Sequence, residues 1–419
     1  MEDEQRMKGD PISLAYRRYA LGLLLAVNLL NYIDRQVLFA VFPLIKADLG
    51  ITDTELGLLG SAFMVSYMVI APVFGWLGDH WNRVKLASTG VVVWSIATVL
   101  AGFAPGYRTL LAARATVGVG EASFGTVSPG LIADFFEKEQ RGRILSYFYV
   151  AIPVGSALGY LMGGVLGHRF GWHAAFLIVG LPGILLAIPL WFLRTPKRPV
   201  EQASPGVAEE KGMAAYAQLF TNRAYVTNTL AMAAMTFAIG GLAQWIPTFL
   251  YRVHDLNVEK ANTLFGATTV VAGILGTLTG GWLGDRLQKK SSKGYLLVSG
   301  WGFLIGTPFA AWAILAPGLG GCIAAIFVAE FFLFLNTGPL NTVILNVTKP
   351  AVRAMAFAVN IFFIHALGDA VSPSILGWFS DLWGLRSALL TTSLVMALAG
   401  VLCFICGRFV ADDMARAEP

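Results

Sequence analysis

The chain carries a succession of apolar stretches, each about 20 residues long or longer, which is the length that a helix needs to cross a bilayer. Because lipid offers no hydrogen-bond partners, only helices and closed barrels satisfy their backbone groups there. Barrel strands would alternate in polarity over about 10 residues, whereas the runs here are roughly twice that length. Only 13% of the 419 residues are charged, against about 25% in soluble domains. The sequence therefore predicts an all-α membrane protein.

Twelve spans can be placed, six on either side of a polar stretch that contains three prolines. Their approximate bounds are 19–45, 55–78, 84–103, 107–133, 143–167, 172–193, 223–250, 260–284, 294–315, 319–347, 353–379 and 386–408. The polar stretch has the composition of a linker. We therefore predict five parts: a tail over 1–18, a six-helix bundle over 19–193, a linker over 194–222, a second six-helix bundle over 223–408 and a tail over 409–419.

Lysine and arginine residues set the orientation of a membrane protein, because they favour the cytoplasmic loops. With both termini in the cytoplasm, the inner segments hold 22 of the 30 basic residues and the outer loops hold six. Arg35 and Arg114 fall inside spans. We expect a multi-pass protein of a plasma membrane, such as a bacterial inner membrane, without a cleavable signal peptide. The net charge of +5 reflects helix ends and does not indicate nucleic-acid binding.

The two predicted bundles share sequence segments. Residues Gly75 to Asp79 (Gly-Trp-Leu-Gly-Asp) return unchanged as Gly281 to Asp285, half a chain length later, and a basic segment follows each copy. Glu121 to Pro129 aligns with Glu330 to Pro339 when one residue is inserted. The bundles are therefore expected to be parallel, pseudo-symmetric copies, an arrangement typical of transporters with two rocking halves.

Charged residues inside the spans are the strongest functional signal. They are Asp34, Arg35, Arg114, Glu121, Glu330 and Asp369, with His365 nearby. A charge at the bilayer midplane costs about 3 kcal/mol or more, which indicates a role beyond packing. Asp34 beside Arg35, and Glu121 two helical turns from Arg114, are candidate proton sites, because burial favours the neutral acid and a nearby arginine favours the charged one. The alternative is that these residues form ion pairs that only lock span 1 to span 4.

Further polar and aromatic residues are candidates for lining a substrate cavity. Asn31 lies on the polar face of span 1, and His365 is expected to hydrogen-bond Asp369 one helical turn later. The aromatic side chains of the second bundle suit an apolar ligand or lipid. The candidate substrate-binding residues are Arg35, Arg114, Asn31, Glu121, Glu330, Asp369, His365, Trp245 and Phe331.

The sequence lacks the signs of an enzyme or of a metal site. The five histidines form no set with a nucleophile or with metal ligands, and Cys403-x-x-Cys406 has no partner pair. We therefore expect no catalytic residues, no metal and no cofactor beyond a proton gradient. A membrane-embedded lipid enzyme and a receptor-like or scaffold protein that lost transport are the alternatives from other classes.

The repeated segments resemble the signatures of the major facilitator superfamily over essentially the whole chain. Gly75 to Asp79, followed by Arg83 and Lys85, is similar to the signature of loop 2–3, and Arg114-x-x-x-Gly118-x-Gly120 to that of span 4. The glycine ladder of span 5 lacks the Gly-Pro of the antiporter-associated motif. The resemblance implies a monomer whose two bundles alternately open a central cavity to each side.

Two segments resemble the spinster branch of that superfamily more specifically: Asn31 to Gln36, and Arg114 to Phe136. An organic-anion and cation symporter branch shares the Asn-Tyr-x-Asp-Arg start, but span 4 is more similar to spinster. The resemblance implies proton-coupled transport of lysophospholipids or sphingosine-1-phosphate-like amphiphiles, with Asp34, Glu121, Arg35 and Arg114 in proton coupling. Transport of organic anions or drugs is the alternative.

The resemblance also implies a cytoplasmic gate that is made of ion pairs. Asp79 is expected to face Arg353, and Asp285 to face Arg143, each carboxylate lying at the amino end of a helix. The candidate gating residues are Asp79, Arg83, Lys85, Arg143, Asp285 and Arg353.

Overall fold

The computed structural model describes residues 13–136, 138–195, 219–349 and 352–417, and the regular structure in these ranges is helical. The helices of the first half are α1 (Leu14–Ala40), α2 (Phe42–Leu49), α3 (Asp53–His80), α4 (Arg83–Ala101), α5 (Tyr107–Phe135) and α6 (Lys138–Trp191). Those of the second half are α7 (Arg223–Val253), α8 (Val258–Gln288), α9 (Gly294–Leu315), α10 (Leu319–Phe334), α11 (Thr337–Val347), α12 (Arg353–Ile364), α13 (Ser372–Trp383), α14 (Leu385–Cys406) and α15 (Val410–Ala417). Most of the predicted linker and N-terminal tail, residues 196–218 and 1–12, lies outside the described residues.

Helix α6 joins two predicted spans in one run. Gly171 interrupts it with φ 82° and ψ 163°, a conformation that only glycine adopts readily. The break falls between the spans predicted at 143–167 and 172–193. The sequence therefore placed this break correctly.

Three other predicted spans are interrupted where the sequence suggested continuity. Span 1 divides at Val41, before Pro43, and span 10 divides between α10 and α11. Span 11 contains a π-helical turn over His365–Asp369, where Gly368 leaves the helical region. Proline removes a backbone donor and glycine tolerates unusual dihedral angles, so these interruptions have local chemical causes.

Ten helical segments among the described residues are long and apolar enough to cross a membrane. One of them, Tyr147–Trp191, spans 45 residues and contains the break at Gly171, so it has room for two crossings. Helix α5 is not among the ten, although its 29 residues are long enough, because charged and small polar residues lower its hydropathy. The prediction of a multi-pass helical membrane protein is confirmed, and the number twelve stays a prediction.

The described residues form two compact units. The first unit lies within residues 1–38 and 65–203, and the second within 39–64 and 204–419. The end of α1, all of α2 and the first part of α3 therefore pack with helices of the second half. The sequence repeat alone would assign them to the first bundle.

Glycines bring the helices of the first unit close together around α1. A Cβ atom added at Gly159 would lie 2.7 Å from the carbonyl oxygen of Ile33, and one at Gly155 would lie 2.9 Å from that of Leu29. Between α4 and α5, a Cβ atom at Gly120 would lie 2.6 Å from the amide nitrogen of Trp94. Small residues permit such backbone contacts between membrane helices, and here they allow α1 to approach α6 closely.

The second unit ends in a short helix where the sequence predicted a tail. In α15, the buried Asp413 accepts a hydrogen bond from the backbone amide of Ala224 at 2.9 Å. A carboxylate at this position satisfies a free amide of the first turn of α7 and interacts favourably with the helix dipole. The side chain of Asp413 thereby anchors the C-terminal helix.

Candidate functional site

The four residues predicted for proton coupling lie together in the first unit, as two crossed ion pairs. Arg35 Nε donates to Glu121 Oε2 at 2.6 Å, and Arg114 Nη1 donates to Asp34 Oδ1 at 3.5 Å. The sequence suggested the opposite pairing, Asp34 with Arg35 and Glu121 with Arg114. Consecutive residues of a helix do not face each other, so Asp34 and Arg35 reach different neighbours on α5.

Burial distinguishes the members of the cluster. The side chains of Arg114 and Glu121 are 0% exposed, whereas that of Arg35 is 18% exposed. Asp34 is also buried, and Thr98 Oγ1 donates to its second oxygen, Oδ2, at 2.5 Å. Arg35 is therefore the charge of the cluster that solvent or a ligand reaches first.

Glu121 has an oxygen available for a proton. Oε2 accepts the hydrogen bond from Arg35, while Oε1 has no hydrogen-bond partner among the described residues. A carboxyl group that binds a proton becomes a donor on that oxygen and keeps acceptor capacity on the other. Glu121 can therefore be protonated on Oε1 while Oε2 still faces Arg35.

The cluster is electrically balanced, with two carboxylates and two guanidinium groups. Removing one partner of a buried pair leaves an uncompensated charge at a cost of about 3–5 kcal/mol. The cluster can therefore bind a proton on Glu121 when an anion binds Arg35 at the same time, because its net charge is then unchanged. It disfavours the net loss of a single charge.

Two tyrosines that the sequence did not single out complete the surroundings of Arg35. Its Cζ atom lies 5.0 Å from the ring centroid of Tyr32 and 5.2 Å from that of Tyr67. Tyr32 lies three residues before Arg35 on α1, so helical spacing could have indicated this contact. Tyr67 comes from α3, and no pattern in the sequence connects it with α1.

Asn31 is buried on α1, one helical turn before Arg35. Its neighbour on the polar face, Asn28, donates to the backbone oxygen of Phe148 at 2.9 Å, which ties α1 to α6. The polar face of span 1 therefore contributes to helix packing at Asn28 and to the charge cluster at Arg35.

The candidates in the second unit form separate contacts. Glu330 is buried and accepts a hydrogen bond from Thr269 Oγ1 at 2.9 Å. His365 Nδ1 lies 2.8 Å from Asp369 Oδ1, so the predicted hydrogen bond within span 11 is present.

The aromatic candidates of that unit differ in exposure. Trp245 is fully buried, donates to the backbone oxygen of Pro373 at 3.2 Å and packs against Phe42 with ring centroids 5.4 Å apart. It is therefore a packing residue in this conformation rather than a ligand contact. Phe331 is half-buried, with its ring edge-on to that of Phe332 at 5.3 Å, and its role in ligand binding stays a prediction.

The gating candidates of the first unit have contacts within their own unit. Arg83 Nε donates to the backbone oxygen of Gly78 at 2.7 Å, and its Nη1 lies 3.9 Å from Asp134. Lys85 Nζ lies 5.6 Å from the ring centroid of Trp191. The side chains of Asp79 and Arg143 lie outside the described part of the chain.

The gating candidates of the second unit also have local partners. Arg353 Nε donates to the backbone oxygen of Leu345 at 3.1 Å, and Asp285 accepts a hydrogen bond from the hydroxyl of Tyr295 at 2.8 Å. The predicted pairs of Asp79 with Arg353 and of Asp285 with Arg143 stay predictions.

A second charge cluster, which the sequence analysis missed, lies in the second unit. Asp53, the first residue of α3, is buried and accepts hydrogen bonds from Arg252 at 2.7 and 2.8 Å, Lys46 at 2.6 Å and Ser380 at 2.5 Å. Asp381 accepts from the backbone amides of Asp53 and Thr54 at 2.9 and 2.8 Å. These contacts, which we call the Asp53 latch, bind the start of α3 to the ends of α7 and α13. Lys46 and Arg252 are two of the six basic residues that the sequence assigns to the outer loops.

The described residues contain no group of three or more histidine, cysteine, aspartate or glutamate side chains that could hold a metal ion. Cys322, Cys403 and Cys406 are buried free thiols.

The sequence matches the Major Facilitator Superfamily over residues 24–373. "Protein spinster homolog 1" of Homo sapiens is 35% identical over an alignment of 454 positions that covers 100% of this chain and 85% of the relative. The chain belongs to the spinster branch of the major facilitator superfamily. "Sphingosine-1-phosphate transporter SPNS2" of Xenopus tropicalis is 34% identical over 430 positions, covering 95% of this chain and 83% of the relative. The predicted family is thus confirmed, and this is a family of membrane transporters.

Solved structures show the same fold. The crystal structure of a bacterial homolog to the human lysosomal transporter Spinster, inward-facing and unoccupied, superposes with a TM-score of 0.88 at 24% identity, covering 96% of this chain and 99% of that one. A D-xylose-proton symporter gives a TM-score of 0.75 at 16% identity, covering 94% and 98%. The predicted major facilitator fold is therefore confirmed.

Proposed function

We propose that this spinster-branch transporter moves lysophospholipids or sphingosine-1-phosphate-like amphiphiles across the membrane by alternating access, coupled to protons. The observation that carries the proposal is the buried, balanced cluster of two carboxylates and two arginines. A similar protein in Xenopus tropicalis bears the name of a sphingosine-1-phosphate transporter, which supports the cargo class.

Glu121 and Arg35 form the coupling pair in this proposal. A proton on Glu121 removes the carboxylate charge that faces Arg35, so the partly exposed guanidinium group gains affinity for another anion. A phosphate group restores the balance, because the planar guanidinium donates two parallel hydrogen bonds to its oxygens. Proton and anionic head group therefore bind cooperatively.

Asp34 and Arg114 have a supporting role in this mechanism. Both are buried, and Thr98 supplies a further hydrogen bond to Asp34. Because Arg114 is fully enclosed, a ligand meets Arg35 first. Asp34 is the second proton site, used when Glu121 is already neutral.

The positive-inside bias of the sequence supports the orientation of the transporter in the membrane. We place both termini in the cytoplasm, in a plasma membrane such as a bacterial inner membrane, and expect the transporter to act as a monomer driven by the proton gradient. Only one of the two arginines of the cluster reaches solvent, which suits a single phosphate on an amphiphile better than a polyvalent hydrophilic anion.

The test uses purified protein in liposomes that contain a trapped pH dye. Adding a lysophospholipid should produce proton flux, which Glu121→Gln abolishes and Glu259→Gln, a control at the start of α8, leaves unchanged. Flux with polar organic anions or cationic drugs but none with lysolipid would overturn the cargo class. Undiminished flux in Glu121→Gln would overturn the coupling role of Glu121.

A further inference from the structure

Arg35 is held by more than its carboxylate partner. The ring centroids of Tyr32 and Tyr67 lie 5.0 and 5.2 Å from its Cζ atom, within the range in which an aromatic ring attracts a cation. The guanidinium group is thus in contact with two rings and one carboxylate oxygen, which come from α1, α3 and α5.

The position of Tyr67 depends on a glycine. A Cβ atom added at Gly125 of α5 would collide with the hydroxyl of Tyr67 and would lie 3.3 Å from its Cζ atom. Gly125 follows Glu121 by four residues, so both lie on the same face of α5. This face therefore accommodates the ion pair at one turn and the tyrosine at the next.

The two kinds of contact respond differently to protonation. A proton on Glu121 weakens the charge-assisted hydrogen bond to Arg35, but it does not alter the attraction between a guanidinium group and an aromatic ring. Two ring contacts in a desolvated site are comparable in strength with one such hydrogen bond. The rings are therefore able to keep Arg35 in position when its carboxylate partner is neutral.

We propose that Tyr32 and Tyr67 form a clamp that keeps Arg35 oriented for an anionic head group while Glu121 is protonated. The clamp rests on the proposed function and deepens it, because it makes the two tyrosines positioning residues for recognition of the phosphate. A flexible lysine in place of Arg35 would lack the planar surface that stacks on the rings.

The test measures affinity for lysophosphatidic acid, which carries one chain and a phosphate monoester, and for a monoacylglycerol of the same chain, which lacks phosphate. In a Glu121→Gln background, Tyr67→Leu should weaken lysophosphatidic acid binding about tenfold, which is the loss expected from one strong cation–ring contact. Tyr67→Phe, which keeps the ring, should change affinity by less than about threefold. Affinity for the monoacylglycerol should remain unchanged in both variants.

A pair of substitutions at Gly125 tests the same clamp without removing the ring. Gly125→Ala should weaken lysophosphatidic acid binding, because the added methyl group displaces Tyr67. Adding Tyr67→Phe should restore affinity, because the colliding hydroxyl is then absent. Tyr147→Leu, an exposed tyrosine on α6, is the control and should have no effect.

The outcomes separate the clamp from the proposed function. If Arg35→Ala leaves lysophosphatidic acid binding unchanged, the proposed role of Arg35 in binding the head group is wrong. If Arg35→Ala weakens it but Tyr67→Leu and Tyr67→Phe behave alike, the clamp is wrong and the head-group site stands. Equal losses for lysophosphatidic acid and monoacylglycerol in Tyr67→Leu would also overturn the clamp, because they would indicate a general structural defect.

Discussion

The Asp53 latch provides a prediction about conformational change. Residues 39–64 belong by sequence to spans 1 and 2 but pack with the second unit. Alternating access, as proposed above, requires them to separate from the other helices of that unit. We expect Asp53→Asn to favour the separated state, because the substitution keeps the size of the side chain and removes its charge.

The magnitude follows from the contacts of Asp53. Its carboxylate accepts three hydrogen bonds across the contact that opens, two from Arg252 and one from Ser380, and a neutral acceptor loses about 1 kcal/mol in each. The bond from Lys46 lies within residues 39–64 and does not contribute. The side chain of Arg252 is 24% exposed, so water screens part of this loss. A net shift of about 1.5–2 kcal/mol remains, which corresponds to roughly a 10- to 30-fold change in population.

Cysteine labelling measures this population. Ser61 is buried and shares a hydrogen bond of 2.6 Å with Ser374 within the second unit, so a cysteine in place of Ser61 is covered while residues 39–64 are docked. In protein without native cysteines, Asp53→Asn should speed the labelling of Ser61→Cys by a membrane-impermeant maleimide by roughly the same 10- to 30-fold factor. Oxidation of the Ser61→Cys/Ser374→Cys pair should slow correspondingly.

Glu55→Gln is the matched control, because Glu55 lies in the same helical turn and its carboxylate accepts, among the described residues, from the amide and hydroxyl of the nearby Thr52. It should leave the labelling rate unchanged. Equal rates in Asp53→Asn and the parent protein, or equal acceleration by Glu55→Gln, would refute the latch.

Three further predictions concern stability, each measured as thermal unfolding of the purified protein. Gly159→Val should lower the unfolding temperature, because the Cβ atom of the valine would lie 2.7 Å from the carbonyl oxygen of Ile33. Gly22→Ala should not lower it, because Gly22 has open space around it. Equal effects of the two substitutions would contradict the packing of α1. Glu121→Ala should destabilise by about 3–5 kcal/mol through the uncompensated arginine, and Glu121→Leu combined with Arg35→Met should recover most of that stability; no recovery would show that charge is not the cause. Burial, together with the positive charge of Arg386, lowers the pKa of His254. Because the unfolded chain then binds a proton at a higher pH than the folded protein, the free energy of unfolding should decline as the pH falls below about 6.5. His254→Asn should flatten this decline.

The helices could be predicted from the sequence, because a long apolar run in a membrane forms a helix and few other structures satisfy its backbone. The break at Gly171 could also be predicted, since it separates two such runs. The interruptions at Val41 and at His365–Asp369 were missed, because both lie inside continuous apolar stretches. Helix α15 was missed because it is short, and its stability depends on the contact between Asp413 and α7, which only the fold shows.

The membership of the charge cluster was predictable, but its pairing was not. Charged side chains inside spans stand out because each is costly in lipid. Which arginine faces which carboxylate depends on the rotation of α1 against α5, which is set by the packing of the folded unit and not by a local sequence pattern. Tyr67 and the Asp53 latch likewise join distant segments, so no local pattern indicates them.

The central claim, that a proton on Glu121 drives transport of the lysolipid, is tested most directly by comparing driven with passive movement. Liposomes containing the protein would be given labelled lysophosphatidic acid, either with an imposed pH gradient or with unlabelled lipid on the opposite side. Glu121→Gln should retain exchange of labelled for unlabelled lipid and lose concentration of the label by the pH gradient. Gradient-driven concentration that persists in Glu121→Gln would contradict the account.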